Sequence, residues 1–125
     1  MSEPDTPIVD EGALNELMES TGDDVGFVRE LIDTYLTDTP AQLEAMTAAV
    51  DADDAAALVR PAHTLKSSSA TVGASRLSFV ARELEMAGRT GALEPGVRAS
   101  LDTARELSQA TADALAAWLE KASRR

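Results

Sequence analysis

Apolar residues along this chain recur at the three- and four-residue intervals of amphipathic helices, and nowhere in the two-residue alternation of a half-buried strand. Asp10 precedes Leu14, Leu17 and Met18 and predicts an N-capped first helix ending near Ser20-Thr21-Gly22. A second helix starts at Asp23 or Asp24 and presents Val28, Leu31, Ile32, Tyr35 and Leu36 on one face. Its pattern resumes as Leu43, Met46 and Val50, and Pro40 between the halves predicts a kink or a restart. The acidic run Asp51 to Asp54 suits the positive end of a third helix, which reaches about Val72 and stops at Gly73. There Leu58, Ala62, Leu65, Ser69 and Val72 form the seam of a bundle helix, and Pro61 predicts a bend within one element. A fourth helix, from about Ala74 to Ala87, buries Leu77, Val80, Ala81 and Leu84 and is closed by Gly88 and Gly91. Pro95 occupies the first position of a long final helix carrying Val97, Leu101, Ala104, Ser108, Thr111, Leu115, Trp118 and Ala122. Residues 1–9, with Pro4 and Pro7, predict a loose tail. Short connections favour antiparallel neighbours, so the expected fold is all-α. Residues 10–125 should form an antiparallel up-down four-helix bundle with an additional short N-terminal helix.

Composition narrows this further. The 125 residues fit one domain, too small to hold a separate nucleotide-binding domain. Twenty-three alanines against four aromatics, Phe27, Tyr35, Phe79 and Trp118, suit helices whose axes approach closely. With no cysteine, disulfides, thiolate nucleophiles and cysteine-bound zinc are excluded. The net charge is −11 and unevenly placed, with 15 acids against 2 bases in residues 1–60 and 7 against 9 in the remainder. That field repels nucleic-acid phosphates and anionic lipid, and most of these charges serve as a solvated surface. No apolar stretch is long enough to span a membrane, and Met1-Ser2-Glu3-Pro4-Asp5 has no signal-peptide character, so a cytoplasmic location is expected.

The candidate chemistry centres on the single histidine. At 100° per residue His63 lies roughly 140° from the centre of the third-helix seam and so points outward. Its helical neighbours Ala56, Val59, Ser67 and Ala70 are mostly small, and Lys66, three residues on, sets a cation beside the ring. A neutral imidazole nitrogen is a good nucleophile at cytoplasmic pH, and a phosphoryl group placed on it would need the donors and charge that Lys66 can supply. Spacing alone leaves this site undecided against an incidental surface histidine.

The stretch Ala62-His63-Thr64-Leu65-Lys66-Ser67-Ser68-Ser69-Ala70-Thr71-Val72-Gly73 resembles the signature of histidine-containing phosphotransfer (HPt) domains. That pattern reads His-x-Leu-Lys-Gly-Ser-Ser/Ala, followed by a hydrophobic residue and Gly. The likeness extends upstream through Leu31 to Pro40 and downstream through Leu84-Glu85-Met86-Ala87-Gly88-Arg89. The resemblance implies a phosphorelay intermediate that neither binds ATP nor phosphorylates itself. Its histidine, here His63, accepts a phosphoryl group from one receiver-domain aspartyl phosphate and passes it to another receiver aspartate. The implied partners are receiver domains of hybrid histidine kinases and of response regulators, and the implied state is a monomer. No cofactor is expected on the chain, Mg²⁺ being held by the receiver. Lys66 is expected beside the phosphoryl group, Glu85 on the other ring nitrogen, and Arg89 on the phosphate or the partner. Ser67 stands where the family has glycine and is expected either to crowd a partner or to help hold the phosphate through a hydrogen bond, and Pro61 is unusual two residues before the histidine; either can retune transfer.

A docking face around His63 is expected from Val59 and Ala70, with Leu14, Leu17 and Met18 as further candidates, since a short helix laid across a bundle cannot bury all its apolar residues. Phe79 and Met86 lie off the fourth-helix seam and are expected to pack in the core. Competing functions are weaker. In a histidine-kinase dimerisation domain an acid normally follows the phosphoacceptor, where this chain has Thr64. A non-phosphorylated helical adaptor for receiver domains is the alternative. A metal site is disfavoured by one histidine with scattered acids, and a hydrolase by serines 67 to 69 having no second histidine or evident base.

Overall fold

In a computed structural model that describes residues 7–124, the chain folds into five helices: α1 (Glu11–Ser20), α2 (Val25–Asp51), α3 (Ala55–Thr71), α4 (Ser75–Thr90) and α5 (Val97–Ser123). No strand occurs among the described residues. The first three helices begin as their sequences dictate. The side chains of Asp10, Asp24 and Asp54 accept the backbone N–H groups of Ala13, Phe27 and Ala57 at 3.2, 3.0 and 3.1 Å. Each cap satisfies a donor that has no carbonyl within its own helix.

α2 packs against α3 and α5, and α4 packs against the same two helices, so the four long helices enclose one core. The α3 seam is wholly inside: Leu58, Ala62, Leu65, Ser69 and Val72 are all buried. On the facing helices Ile32, Met46, Leu77, Leu84, Leu115 and Trp118 fill the interior. α2 continues through Pro40 and α3 through Pro61. Each proline removes one hydrogen bond, but apolar residues on both sides of it bury in a single core, which favours a continuous helix over a restart.

Several expectations need correction. Leu14 and Met18 are buried and offer nothing to a partner, and Leu17 is half-buried against the core. α1 caps the bundle end at the α3–α4 turn: Asp10 N–H donates to the Gly73 carbonyl at 2.7 Å, and Lys121 near the end of α5 pairs with Glu11 at 3.2 Å. Gly73, at φ 74°, permits this stitch, because a Cβ there would lie 2.9 Å from the Asp10 carbonyl oxygen. Of the tail expected over residues 1–9, Ile8 and Val9 pack partly on the core, and residues 1–6 lie outside the described residues. Gly88 does not close α4 but is buried within it, and the stop is Gly91 in the left-handed conformation. Pro95 precedes α5, joined to Glu94 by a cis peptide bond, and Gly96 at φ 104° is the cap residue. Phe79 packs partly on the core, but Met86 is 52% exposed.

Candidate functional site

The site lies where α3 and α4 pack together. Gly88 allows the approach: a Cβ there would stand 2.9 Å from both the Ala55 carbonyl oxygen and Val59 Cγ2. Further along, the Ser78 hydroxyl donates to the Lys66 carbonyl at 2.9 Å. Between these contacts Glu85 turns from α4 toward α3 and is buried, with 5% of its side chain exposed. A carboxylate taken out of water needs compensation, and here three side chains provide it. Oε1 pairs with Lys66 Nζ at 2.8 Å. Oε2 accepts from Arg89 Nε at 3.0 Å and from a terminal guanidinium nitrogen at 2.7 Å, one turn along α4. The same Oε2 lies 3.1 Å from His63 Nδ1.

This arrangement sets the charge of Glu85 and the tautomer of the neutral His63 ring. The hydrogen bond from Lys66 outweighs burial and, with those from Arg89 and His63 added, lowers the Glu85 carboxyl from its ordinary 4.5 to about 2. Glu85 is therefore ionised at neutral pH and can only accept, so His63 Nδ1 must donate. In the neutral ring the proton sits on Nδ1 and the lone pair on Nε2, which has no hydrogen-bond partner among the described residues. The His63 side chain is 53% exposed, as its outward position predicts. Two full cations share one carboxylate, which leaves one positive charge in excess beneath the ring, although the chain as a whole carries −11.

The structure thus brings His63, Lys66, Glu85 and Arg89 into one cluster. Lys66 reaches the ring through Glu85, not by contact with it, because the carboxylate is the nearest strong acceptor. Ser67 is exposed one turn beyond His63, and its carbonyl accepts from the Thr71 hydroxyl at 3.1 Å. Val59 is half-buried and Ala70 exposed, on the same side of α3 as His63. An open depression beside the ring is lined by Ala56, Val59, Arg60, His63, Thr64 and Arg89. Arg60 is absent from the residues expected on sequence grounds; its place one turn before His63 was the available signal. Among the described residues no group of three or more His, Asp or Glu side chains is placed to hold a metal ion, and no helix is long and apolar enough to cross a membrane.

The described residues thus present one exposed histidine whose Nδ1 is held by a buried acid on the adjacent helix. The Hpt domain family model matches residues 30–123, and the chain belongs to that family. Among solved structures it is similar to the crystal structure of histidine-containing phosphotransfer protein B (HptB) from Pseudomonas aeruginosa PAO1. The TM-score is 0.80 and the identity 28%, over 95% of this chain and 97% of that one. Comparison with curated proteins gives no match. Proteins of this family are phosphotransfer intermediates of phosphorelays that interact with receiver domains.

Proposed function

We propose that this chain relays a phosphoryl group through His63, taking it from the aspartyl phosphate of one receiver domain and giving it to the aspartate of another. The observation that carries this reading is the polarity of the ring: Nδ1 is tied to a buried, ionised Glu85, and the unpartnered Nε2 sits on a side chain that is 53% exposed. In the forward step the Nε2 lone pair forms the N–P bond as the acyl P–O bond breaks, and the donor aspartate leaves as a carboxylate. No proton has to move, since the proton stays on Nδ1, donated to the Glu85 carboxylate throughout. The resulting ring is formally cationic, and the Glu85 carboxylate stabilises it until a second receiver aspartate attacks phosphorus and Nε2 departs. Lys66 and Arg89 offset the charge of the arriving group. Ser67 adds a small exposed hydroxyl at the rim and leaves the ring open.

Val59 and Ala70, on the His63 side of α3, belong to the face a receiver would cover. Mg²⁺ is supplied by the receiver, and the chain itself uses no cofactor, ATP or autokinase activity. The short α2–α3 and α3–α4 turns and the pairwise packing support an antiparallel up-down arrangement of the four long helices.

The test is label transfer from a phosphorylated receiver. The wild-type chain should acquire acid-labile, alkali-stable phosphate, and His63→Gln none, while the variant keeps its helical content and receiver binding. Equal labelling of both proteins would overturn the relay; receiver binding without labelling of the wild type would leave the adaptor reading.

A further inference from the structure

Lys66 and Arg89 are both committed to Glu85, yet the depression beside His63 contains a third cation that is not. Arg60 is exposed one turn before His63 on the same face of α3, and no acid or hydrogen-bond partner engages it among the described residues. Arg98, Arg105, Lys121 and Arg124, by contrast, each pair with an acid. Residues three apart on a helix are neighbours, so the guanidinium can reach the space in front of the ring. Arg89 lines the same space; its Nε and one terminal nitrogen bind Glu85, leaving its remaining terminal nitrogen available. An anion seated there would meet a lining that includes Arg60, Arg89, His63 and Thr64.

We infer that Arg60 is a phosphoryl-binding residue of this site: its unpaired guanidinium donates to the oxygens of the group carried on His63 Nε2, alongside Arg89. The inference rests on the relay reading above. It assigns the three cations different tasks. Lys66 and Arg89 hold the carboxylate that orients the ring, and Arg60 is the one free to move onto the phosphoryl group without disturbing that carboxylate. A planar fork of donors suits tetrahedral phosphoryl oxygens better than a single ammonium does.

The experiment uses phosphoramidate, a small donor that needs no receiver, so contacts with a partner protein do not enter. In this reaction the His63 Nε2–P bond forms, the donor P–N bond breaks, and the donor nitrogen, already protonated as H₃N⁺–PO₃²⁻, departs as ammonia. Phosphorylation rates are compared at low and high salt for the wild type, Arg60→Ala, Arg60→Lys, His63→Gln and Arg105→Ala. The last variant removes the same charge from α5, which makes no comparable contact with α3. Loss of one charge-assisted contact should slow Arg60→Ala on the order of tenfold at low salt. The deficit should shrink at high salt, Arg60→Lys should recover part of it, and Arg105→Ala should follow the wild type. Arg60→Ala labelled at the wild-type rate, or slowed no more than Arg105→Ala, would overturn the assignment while leaving the relay intact. Labelling of His63→Gln would instead overturn the relay.

Discussion

Tyr35 and Glu85 are both polar side chains buried against α3, and the fold satisfies them in opposite ways. The Tyr35 hydroxyl shares a 2.7 Å hydrogen bond with the buried Ser69 hydroxyl, and burial raises the phenol above its usual pKa of 10. That pair is neutral at every physiological pH and points inward. Glu85 is held ionised, chiefly by Lys66 and also by Arg89, with its pKa driven down to about 2, and its third partner is the ring of an exposed histidine. A neutral pair is sufficient to join two helices. A buried charge is a costly way to do the same, since its desolvation is repaid only by good geometry on every oxygen. The difference identifies which polar contact serves the bundle and which serves the surface: the charge is retained where a proton must be held on one named nitrogen.

Removing the charge should break this contrast most strongly. Glu85→Ala frees the ring and releases Lys66 and Arg89, which are 31% and 55% exposed and can turn to water. The cost should therefore fall mainly on chemistry, with labelling from a phosphorylated receiver reduced about 10- to 100-fold, as for other partners that orient a functional imidazole. Glu85→Gln keeps an acceptor for Nδ1–H and should lose less. The same variant isolates a pH effect. The folded-state pKa of Glu85 lies below its unfolded value, so its stabilisation is fully present above about pH 4.5 and is lost as pH falls toward 2. Thermal unfolding followed from pH 6 to pH 2 should show wild type losing stability over that window faster than Glu85→Gln. Parallel curves would mean that the carboxylate is not held by its cations in the folded state.

A smaller effect should follow from spreading the helices that create the cluster. Gly88→Ala places a methyl group 2.9 Å from the Ala55 carbonyl oxygen, which is backbone and cannot swing aside. Overpacking of this kind costs about 1–3 kcal/mol and is offset by about 1 kcal/mol of improved helix propensity. The clash should prevail, giving a lower denaturation midpoint together with slower transfer, because separation of α3 from α4 lengthens the reach from Glu85 to His63. A loss of stability with unchanged transfer would show that the cluster tolerates helix movement and so is less dependent on geometry than its contacts indicate.

Parts of this molecule were legible in the sequence for a definite reason. A helix with one core-facing stripe writes its burial into its own spacing, and Leu58, Ala62, Leu65, Ser69 and Val72 are buried as that spacing requires. The outward position of His63 follows from the same arithmetic. Caps were equally local: Asp10, Asp24 and Asp54 need only the next turn of chain. Glu85 is different. It stands beside Leu84 and one turn after Ala81, at the edge of the α4 stripe, and burying it depends on cations delivered by another helix and the next turn. Only the family pattern pointed to its contact with Nδ1. Leu14 and Met18 escaped for the converse reason, since an amphipathic face on a ten-residue helix does not reveal what covers it. At Pro95 a sound local preference for the first helical turn yielded to Gly96, whose positive φ turns the chain into α5.

The smallest of these effects tests the neutral half of the comparison. Tyr35→Phe removes only the phenolic oxygen and leaves the Ser69 hydroxyl buried without its partner. An orphaned buried hydroxyl costs about 1–3 kcal/mol, and the Ser69 hydroxyl can recover part of this by rotating toward a carbonyl of its own helix, so about 1–2 kcal/mol of lost stability is expected in denaturant titration. Phosphoryl transfer should be unchanged, because Ser69 lies on the seam side of α3, facing away from His63, and neither residue bonds any member of the Glu85 cluster. A variant of unaltered stability but slower transfer would reverse the assignment of roles. It would place Tyr35, which also lines a groove between α2 and α3 with Thr64 and Ser68, on the receiver-facing side of the molecule and not among the contacts that only hold the bundle together.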